Sequence, residues 1–240
     1  MHDIEREPRV VPFRRPSPQA HPSNAHDAYR SSIARAPREA PVPIPQTLSE
    51  VTGPVGGWEH LMGPALADLT SGHRGEPLGE RIVVSGRILD EDARPVRNTM
   101  VEIWQANAAG RYVHERDRHP APLDPNFTGA GRIVTDDDGR YRFVTIKPGA
   151  YPWANHYNAW RPAHIHYSVF GPGFATRLVT QMYFPGDPLL DIDPIATSVS
   201  PEVRRRMVAR FDLATTVPEI ALGYVFDVVL RGRDATPFEA

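Results

Sequence analysis

From about residue 80 onward, short runs of β-branched and aromatic residues alternate with Gly, Pro, Asn and Asp. Such runs, bounded by turn-forming residues, are typical of β-strands. The pattern predicts strands at Arg81–Leu89, Met100–Trp104, Arg132–Thr135, Tyr141–Ile146, His164–Phe170, Arg177–Phe184 and Gly223–Leu230. Between the third and fourth of these, the segment Asp136-Asp137-Asp138-Gly139 predicts a tight turn and a β-hairpin.

One short helix is indicated towards the C-terminal end. Ser200 is a suitable N-cap, Pro201 occupies the first helical position and Glu202 follows in the first turn, ahead of Val203–Arg210. Because several strands accompany a single short helix, we expect an all-β fold with a β-sandwich core. The sequence shows no internal repeat and no second domain of comparable size.

Residues 1–54 contain ten of the 26 prolines. Proline fixes φ and removes an amide donor, which favours extended backbone. We therefore expect a proline-rich, extended N-terminal arm at residues 1–54, followed by the sandwich domain at residues 55–240. Apolar and aromatic residues in the arm, such as Phe13, Tyr29 and Ile44, favour docking on its own domain or on a partner subunit.

The 240-residue chain is 40% apolar and 23% charged, the balance of a soluble protein with a buried core. It has no apolar run approaching the ~18 residues of a membrane helix, and its N-terminus is charged and proline-rich, so a cytoplasmic location is expected. A net charge of -2 gives no reason to expect nucleic acid or membrane as a partner. The absence of cysteine excludes thiolate ligands, so any metal must be bound by His, carboxylate or Tyr.

Two histidines, His164 and His166, lie in the predicted strand His164–Phe170. Since side chains alternate along a strand, both imidazoles lie on one face, while Ile165 and Tyr167 lie on the other. Two imidazoles on one face can share a metal ion. The alternative interpretation is a pair of surface or hydrogen-bonded histidines with no metal.

Two tyrosines are further candidate ligands because of their positions. Tyr151 lies in a loop that leads to the histidine strand, and Tyr112 follows the strand that ends at Trp104. A phenolate is a hard anionic oxygen ligand, and a trivalent cation can keep it deprotonated despite an ordinary pKa of about 10. Two Tyr and two His without Cys would suit ferric iron better than zinc or copper. A tyrosine more often contributes only bulk and one hydrogen bond, and this remains the default role for Tyr141, Tyr157, Tyr167, Tyr183 and Tyr224.

Several ordered motifs make the chain similar to a known family. They are Gly86-Arg87-Ile88-Leu89-Asp90, Val101-Glu102-Ile103-Trp104-Gln105-Ala106-Asn107, Gly110-Arg111-Tyr112, Asp136-Asp137-Asp138-Gly139, Ile146-Lys147-Pro148-Gly149 and Trp160-Arg161-Pro162-Ala163-His164-Ile165-His166. With these motifs the sequence resembles the intradiol ring-cleaving dioxygenases. The similarity covers about residues 80–232 well and residues 29–54 more loosely.

The resemblance implies a set of roles for individual residues. One non-haem Fe(III) would be held by Tyr112, Tyr151, His164 and His166, with Tyr151 and His166 axial. Arg161 would lie beside the iron and stabilise negative charge on the substrate, the alternative being a structural ion pair. The substrate pocket would be lined by Trp104, Trp153, Gln181 and Ile195. The alternative for these four residues is ordinary packing in the core. Tyr29 would bind a substrate carboxylate.

Within the family, three segments are most similar to the iron-binding chain of two-chain enzymes that act on a catechol with a carboxylate. These segments are Leu123–Phe127, Tyr151–Trp153 and Gln181–Pro188. The similarity implies cleavage of protocatechuate (3,4-dihydroxybenzoate) with O2 to 3-carboxy-cis,cis-muconate in the β-ketoadipate pathway of aromatic catabolism. It also implies a homologous alpha chain in a hetero-oligomer. Ala154 is a departure, because some relatives carry arginine there, and this leaves recognition of the carboxylate to Tyr29 or to the partner chain.

Three other interpretations remain at this point. The chain could be an intradiol dioxygenase for another catechol or for hydroxyquinol. It could be a non-enzymatic, transthyretin-like sandwich module whose histidines only support the structure. A ferrous site with two His and one carboxylate would need Glu102 or Asp136 beside the histidines.

Overall fold

The computed structural model describes residues 23, 25–37, 39, 66–153, 159–170 and 177–238. Its helices are α1 (Arg30–Arg35) and α2 (Pro201–Arg204). Its strands are β1 (Arg81–Leu89), β2 (Met100–Gln105), β3 (Ala130–Val134), β4 (Arg140–Ile146), β5 (Tyr151–Trp153), β6 (Ala159–Arg161), β7 (His164–Phe170), β8 (Arg177–Tyr183), β9 (Arg210–Phe211), β10 (Leu222–Val225) and β11 (Val228–Val229).

The strands form two main sheets and one small one. In the first sheet, β1 pairs antiparallel with β4 on one side and parallel with β10 and β11 on the other, and β9 follows β10. The second sheet is antiparallel throughout, in the order β3-β2-β7-β8. Strands β5 and β6 pair with each other and, among the described residues, with no other strand. The all-β sandwich predicted from the sequence is confirmed.

The hydrophobic core lies between the two main sheets. Ile82 and Phe143 contribute to it from the first sheet, and Ile103, Ile165 and Tyr167 contribute from the second. Each of these side chains is almost completely buried, and each alternates along its strand with residues on the other face. Burial of apolar surface between the sheets holds the second sheet in place, and the outer face of that sheet carries the histidines.

The structure differs from the sequence prediction at the Asp136–Gly139 turn. The turn forms as predicted, since Gly139 has φ +69° and the Asp136 amide donates to the Arg140 carbonyl at 3.0 Å. However, β3 pairs with β2 and β4 pairs with β1, so the turn joins the two sheets and the predicted hairpin is wrong. Turn chemistry determines a local change of direction, but strand pairing depends on distant residues.

Two other elements differ in extent. The helix begins at Pro201, where the Ser200 side chain accepts from the Val203 amide, but it ends at Arg204 and continues as a 3-10 turn only to Met207. Strand pairing resumes at β9, so the predicted helix to residue 210 is too long. The predicted strand Gly223–Leu230 is divided into β10 and β11, both parallel to β1.

Part of the N-terminal arm is described, at residues 23, 25–37 and 39. It contains the six-residue helix α1, and Tyr29 immediately before it is only 7% exposed. The arm therefore docks on its own domain at this point. This was one of the two alternatives expected from the sequence, the other being docking on a partner subunit. The predicted domain boundary at residue 54 lies outside the described residues. No helix within the described ranges is long and apolar enough to cross a membrane.

Replacement of Ile165 by Ala tests the sheet packing. Ile165 is fully buried between the sheets, so the variant leaves a cavity, and we expect the free energy of unfolding to fall by about 2–5 kcal/mol. Ile192→Ala is the control, because Ile192 is 60% exposed and should change stability by less than about 0.5 kcal/mol. Urea unfolding measures both, and equal losses would contradict the assigned core.

Candidate metal centre

His164 and His166 lie together on the outer face of β7. Their ring centroids are 4.8 Å apart, and both side chains are buried. Across the sheet, His166 lies opposite Gln181 of β8 and Trp104 of β2, and the Trp104 ring stacks on His166 at 4.7 Å. The predicted alternation of β7 is therefore present, and two imidazoles are packed side by side.

The ring orientation of His164 is determined by the backbone. Its Nδ1 lies 2.7 Å from the Pro162 carbonyl oxygen, which can only accept, so Nδ1 carries the proton. Nε2 therefore presents its lone pair on the other side of the ring. Burial lowers the pKa of His164 well below its ordinary value, and the charges of Arg161 and His166 lower it further. A neutral imidazole held at Nδ1 by a carbonyl is the usual form of a metal-binding histidine.

Tyr112 and Tyr151 are placed against this histidine pair. Tyr151 Oη lies 3.3 Å from His164 Nε2. The Tyr112 ring is 5.3 Å from the Tyr151 ring and 6.3 Å from the His166 ring, centroid to centroid. Two atoms that ligate one ion at ~2.1 Å and at right angles lie ~3 Å apart, so the Tyr151–His164 spacing suits a shared ion.

The loops that carry the two tyrosines pack closely because of Gly110. This residue has φ +77°, and a Cβ atom there would lie 2.2 Å from the Ala150 carbonyl oxygen. Asn107 organises the same loop, since its Oδ1 accepts from the Ala109 and Arg111 amides at 3.0 and 2.9 Å. The glycine thus permits the backbone approach that brings Tyr112 and Tyr151 together.

Asp117 holds the other end of the Tyr112 loop. Its carboxylate accepts from the Tyr112 and His119 amides, both at 2.8 Å, and forms an ion pair with Arg111 at 3.4 Å. Arg111 also donates to the His119 carbonyl oxygen. Backbone and charge contacts together therefore define where Tyr112 lies.

Arg161 enters the site from β6, directly opposite Tyr151. The side chain is buried, and Nε and Nη2 contact the Asp193 carboxylate at 2.9 and 3.0 Å. Burial alone would lower the pKa of Arg161, but Tyr183, Asp193 and Tyr151 raise it, and the net direction is upward. The guanidinium therefore stays charged, and the structural ion pair weighed from the sequence is present.

The predicted pocket residues have different surroundings. Trp153 contacts both Tyr29, with ring centroids 4.8 Å apart, and the Arg161 guanidinium, 5.4 Å from its ring. Gln181 is fully buried and accepts from Arg161 Nη2 at 2.5 Å. Ile195 is buried beside Ala196, whose amide donates to Asp193. Ala154 lies outside the described residues.

The carboxylates considered for a ferrous site have other partners. Glu102 lies 4.0 Å from Arg132 and 3.9 Å from Arg177, and Asp136 accepts from amides of its own turn. Within the described ranges, no group of three His, Asp or Glu side chains could hold an ion. The described residues thus bring together two imidazoles and two phenols, and no carboxylate joins them.

Comparison with known proteins shows the family of the chain. Residues 51–232 match the model of a family described as "Dioxygenase", and residues 13–47 match "Protocatechuate 3,4-dioxygenase beta subunit N terminal". The chain belongs to the intradiol ring-cleavage dioxygenase family. The resemblance inferred from its motifs is confirmed.

Individual members of the family show the extent of the similarity. The chain is 62% identical over 222 residues to the protocatechuate 3,4-dioxygenase beta chain of Burkholderia cepacia, covering 92% of this chain and 94% of the relative. It is 32% identical over 163 residues to the alpha chain from the same organism, covering 67% and 77%. The solved hydroxyquinol 1,2-dioxygenase of Pseudomonas putida DLL-E4 shares the fold, with TM-score 0.54 and 24% identity over 84% of this chain and 71% of that one.

Two residues that build the site, Tyr183 and Asp193, were not predicted from the sequence. Tyr183 was assigned only bulk and one hydrogen bond, yet its hydroxyl contacts Gln181, Arg161 and Asp193. Its position two residues after Gln181 on β8 was a usable signal, because it places both on the face of the histidines. Asp193 gave no such signal, since it lies in a loop and meets Arg161 only through the fold.

Replacement of Gly110 by Ala tests the close approach of the two tyrosine loops. We expect a loss of about 2–5 kcal/mol in the free energy of unfolding, about 1–2 from the positive φ and the rest from overlap with the Ala150 carbonyl. Gly72→Ala is a matched control, because Gly72 has φ +80° but no atom within 4 Å of a Cβ. Urea unfolding of the two variants separates overlap from backbone strain, and equal losses would argue against close packing at Gly110.

Proposed function

We propose that this chain binds one non-haem Fe(III) through Tyr112, Tyr151, His164 and His166. The proposed enzyme cleaves protocatechuate with O2 to 3-carboxy-cis,cis-muconate. The observation that carries the proposal is the 3.3 Å spacing of Tyr151 Oη and His164 Nε2, with the Tyr112 and His166 rings packed around them. The membership of the chain in the intradiol family supports the same chemistry.

The ligand chemistry favours ferric iron. Two imidazoles and two phenols provide two neutral nitrogen and two anionic oxygen ligands, with no thiolate to attract zinc or Cu(I). The positive charge of a bound Fe(III) would oppose the ordinary pKa of a phenol and keep both tyrosines ionised. Two phenolates would balance much of that charge in a buried site.

Ferric iron, if bound by these four residues, would supply Lewis-acid chemistry that activates the catechol ring towards O2. The protein side chains then bind, orient and stabilise. Tyr151 Oη is proposed to accept a substrate proton, and Tyr151 lies partly buried at the start of β5. Arg161 supplies a fixed positive charge opposite Tyr151, where negative charge develops on the substrate.

The substrate assignment rests on the 62% identical relative, whose name specifies protocatechuate. Trp153, Gln181, Ile195 and Trp104 are proposed to line the ring pocket. Tyr29, held against Trp153, is proposed to donate to the ring carboxylate. Because this chain has Ala154 where some relatives carry arginine, we also propose that a partner chain contributes a contact to the substrate carboxylate.

Tyr112→Phe tests the metal site by removal of one oxygen atom. Loss of a residue that only contacts a metal ligand weakens metal binding by about 10–100-fold, and we expect loss of this ligand to weaken iron binding by more than that. The visible phenolate-to-iron absorption should be lost as well. Tyr167→Phe is the matched control, since Tyr167 faces the core, where burial raises its pKa. Iron analysis and visible spectra measure both. Colourless, inactive wild-type protein after reconstitution with iron would refute the site, and equal effects of the variants would refute the face assignment.

We further infer that a homologous alpha chain completes the active-site wall. The inference is supported by the similarity of this chain to both the beta chain and the alpha chain of the protocatechuate 3,4-dioxygenase of one organism. Co-expression with a homologous alpha chain should yield one co-eluting species on size-exclusion chromatography and turnover of protocatechuate above that of the chain alone. Separate elution and full activity of the chain alone would contradict the inference.

A further inference from the structure

Asp193 lies at the centre of a buried polar network behind the metal centre. It is fully buried, and its carboxylate accepts from Arg161 Nε at 2.9 Å, Arg161 Nη2 at 3.0 Å and the Ala196 amide at 3.2 Å. Tyr183 Oη lies 2.9 Å from the same carboxylate. Both oxygens of the carboxylate thus have hydrogen-bond partners, and the carboxylate cannot move without breaking several of these bonds.

Among the described residues, the side-chain hydrogen bonds of Arg161 all come from Nε and Nη2. Nε and Nη2 contact Asp193, and Nη2 also donates to Gln181 Oε1 at 2.5 Å and to Tyr183 Oη at 3.1 Å. A guanidinium has five N–H groups, two of them on Nη1. Among the described residues, Nη1 has no hydrogen-bond partner. The network therefore leaves one defined pair of donors, on the side away from Asp193.

Gln181 is oriented by the same network. Because Arg161 Nη2 can only donate, the amide oxygen of Gln181 faces it, and the amide nitrogen faces the opposite way. That nitrogen is buried and has no hydrogen-bond partner among the described residues. Gln181 lies directly across from His166 in the sheet register. A second donor is thus held beside the proposed iron ligands.

We propose that Asp193 is a positioning residue that orients Arg161, and through it Gln181, for the substrate. Asp193 occupies the Nε–Nη2 edge, so that Nη1 is the part of Arg161 directed at the negative charge of the bound catechol. The single O–H of Tyr183 lies within hydrogen-bond distance of both the Asp193 carboxylate and the Gln181 amide oxygen, and it can donate to one of them. This inference rests on the proposed function, and Asp193 itself does not contact the substrate.

A double-mutant cycle between Asp193 and Arg161 tests the inference. We expect Asp193→Asn to lower kcat about 10–100-fold with little change in iron content, because a misplaced guanidinium loses its alignment with the developing charge. In the Arg161→Gln background, the same substitution should change kcat by less than about 2-fold, because no guanidinium remains to be positioned. If Asp193→Asn lowers kcat by the same factor in the wild type and in the Arg161→Gln variant, Asp193 has a merely structural role and the inference is overturned.

Ligand binding provides a readout without turnover. A monohydroxybenzoate has only one ring hydroxyl and is not cleaved, so its Kd can be measured by titration. We expect Asp193→Asn to weaken this binding in the wild-type background and to leave it unchanged in the Arg161→Gln background. Asp191→Asn is the control: Asp191 is 81% exposed and pairs with Arg204, so its Kd and kcat should match the wild type. An unchanged Kd and kcat for Asp193→Asn would overturn the inference.

Asp193→Asn leaves Arg161 as a buried cation with a weakened partner, which can prevent folding. Tyr183→Phe then takes its place, since it removes only the hydroxyl that contacts Asp193 and Gln181. A several-fold loss of kcat that disappears in the Arg161→Gln background supports the inference, and a loss that persists there overturns it. Failure of the proposed function is recognised separately, as iron-reconstituted wild-type protein that does not turn over protocatechuate.

Discussion

Strand β7 is buried on both faces, and the candidate site depends on this constraint. Ile165 and Tyr167 pack into the sandwich core with one face, so the register of β7 cannot slip without exposing them. That fixed register places His164 and His166 on the opposite face. Buried imidazoles are costly unless they are hydrogen-bonded or bind an ion, so the outer face must provide partners for both. Core packing thus determines where the polar chemistry occurs.

The two tyrosines reach the histidines through loops whose geometry is determined mainly by backbone contacts. Gly110 permits close approach to the loop before Tyr151, and the Asp117 carboxylate holds the Tyr112 amide. Loops held in this way lose little further freedom when a ligand binds, so the donor atoms can be oriented before the ion arrives. The site therefore combines a rigid strand with two braced loops.

The strands and the histidine pair could be predicted from the sequence because alternation along a strand is a local property. Positions beside the predicted strands made Tyr112 and Tyr151 candidate ligands, but composition alone could not select them, and their specific roles came from resemblance to the family. Strand partners could not be predicted: the Asp136–Gly139 turn has the chemistry of a hairpin but joins two sheets. Asp193 is likewise indistinguishable in sequence from Asp191, two residues earlier, which is exposed.

Unlike the exposed Asp191, Asp193 is buried together with the charge of Arg161, and this burial needs a physical reason. Transfer of both Arg161 and Asp193 out of water costs several kcal/mol per ion, and apolar residues of similar volume often serve stability equally well. Stability alone therefore gives little reason for this pair. A guanidinium held along one edge has a defined orientation, however, and an apolar substitute could not hold a positive charge opposite Tyr151. Orientation of a charge is thus the property that a buried ion pair supplies and hydrophobic packing cannot.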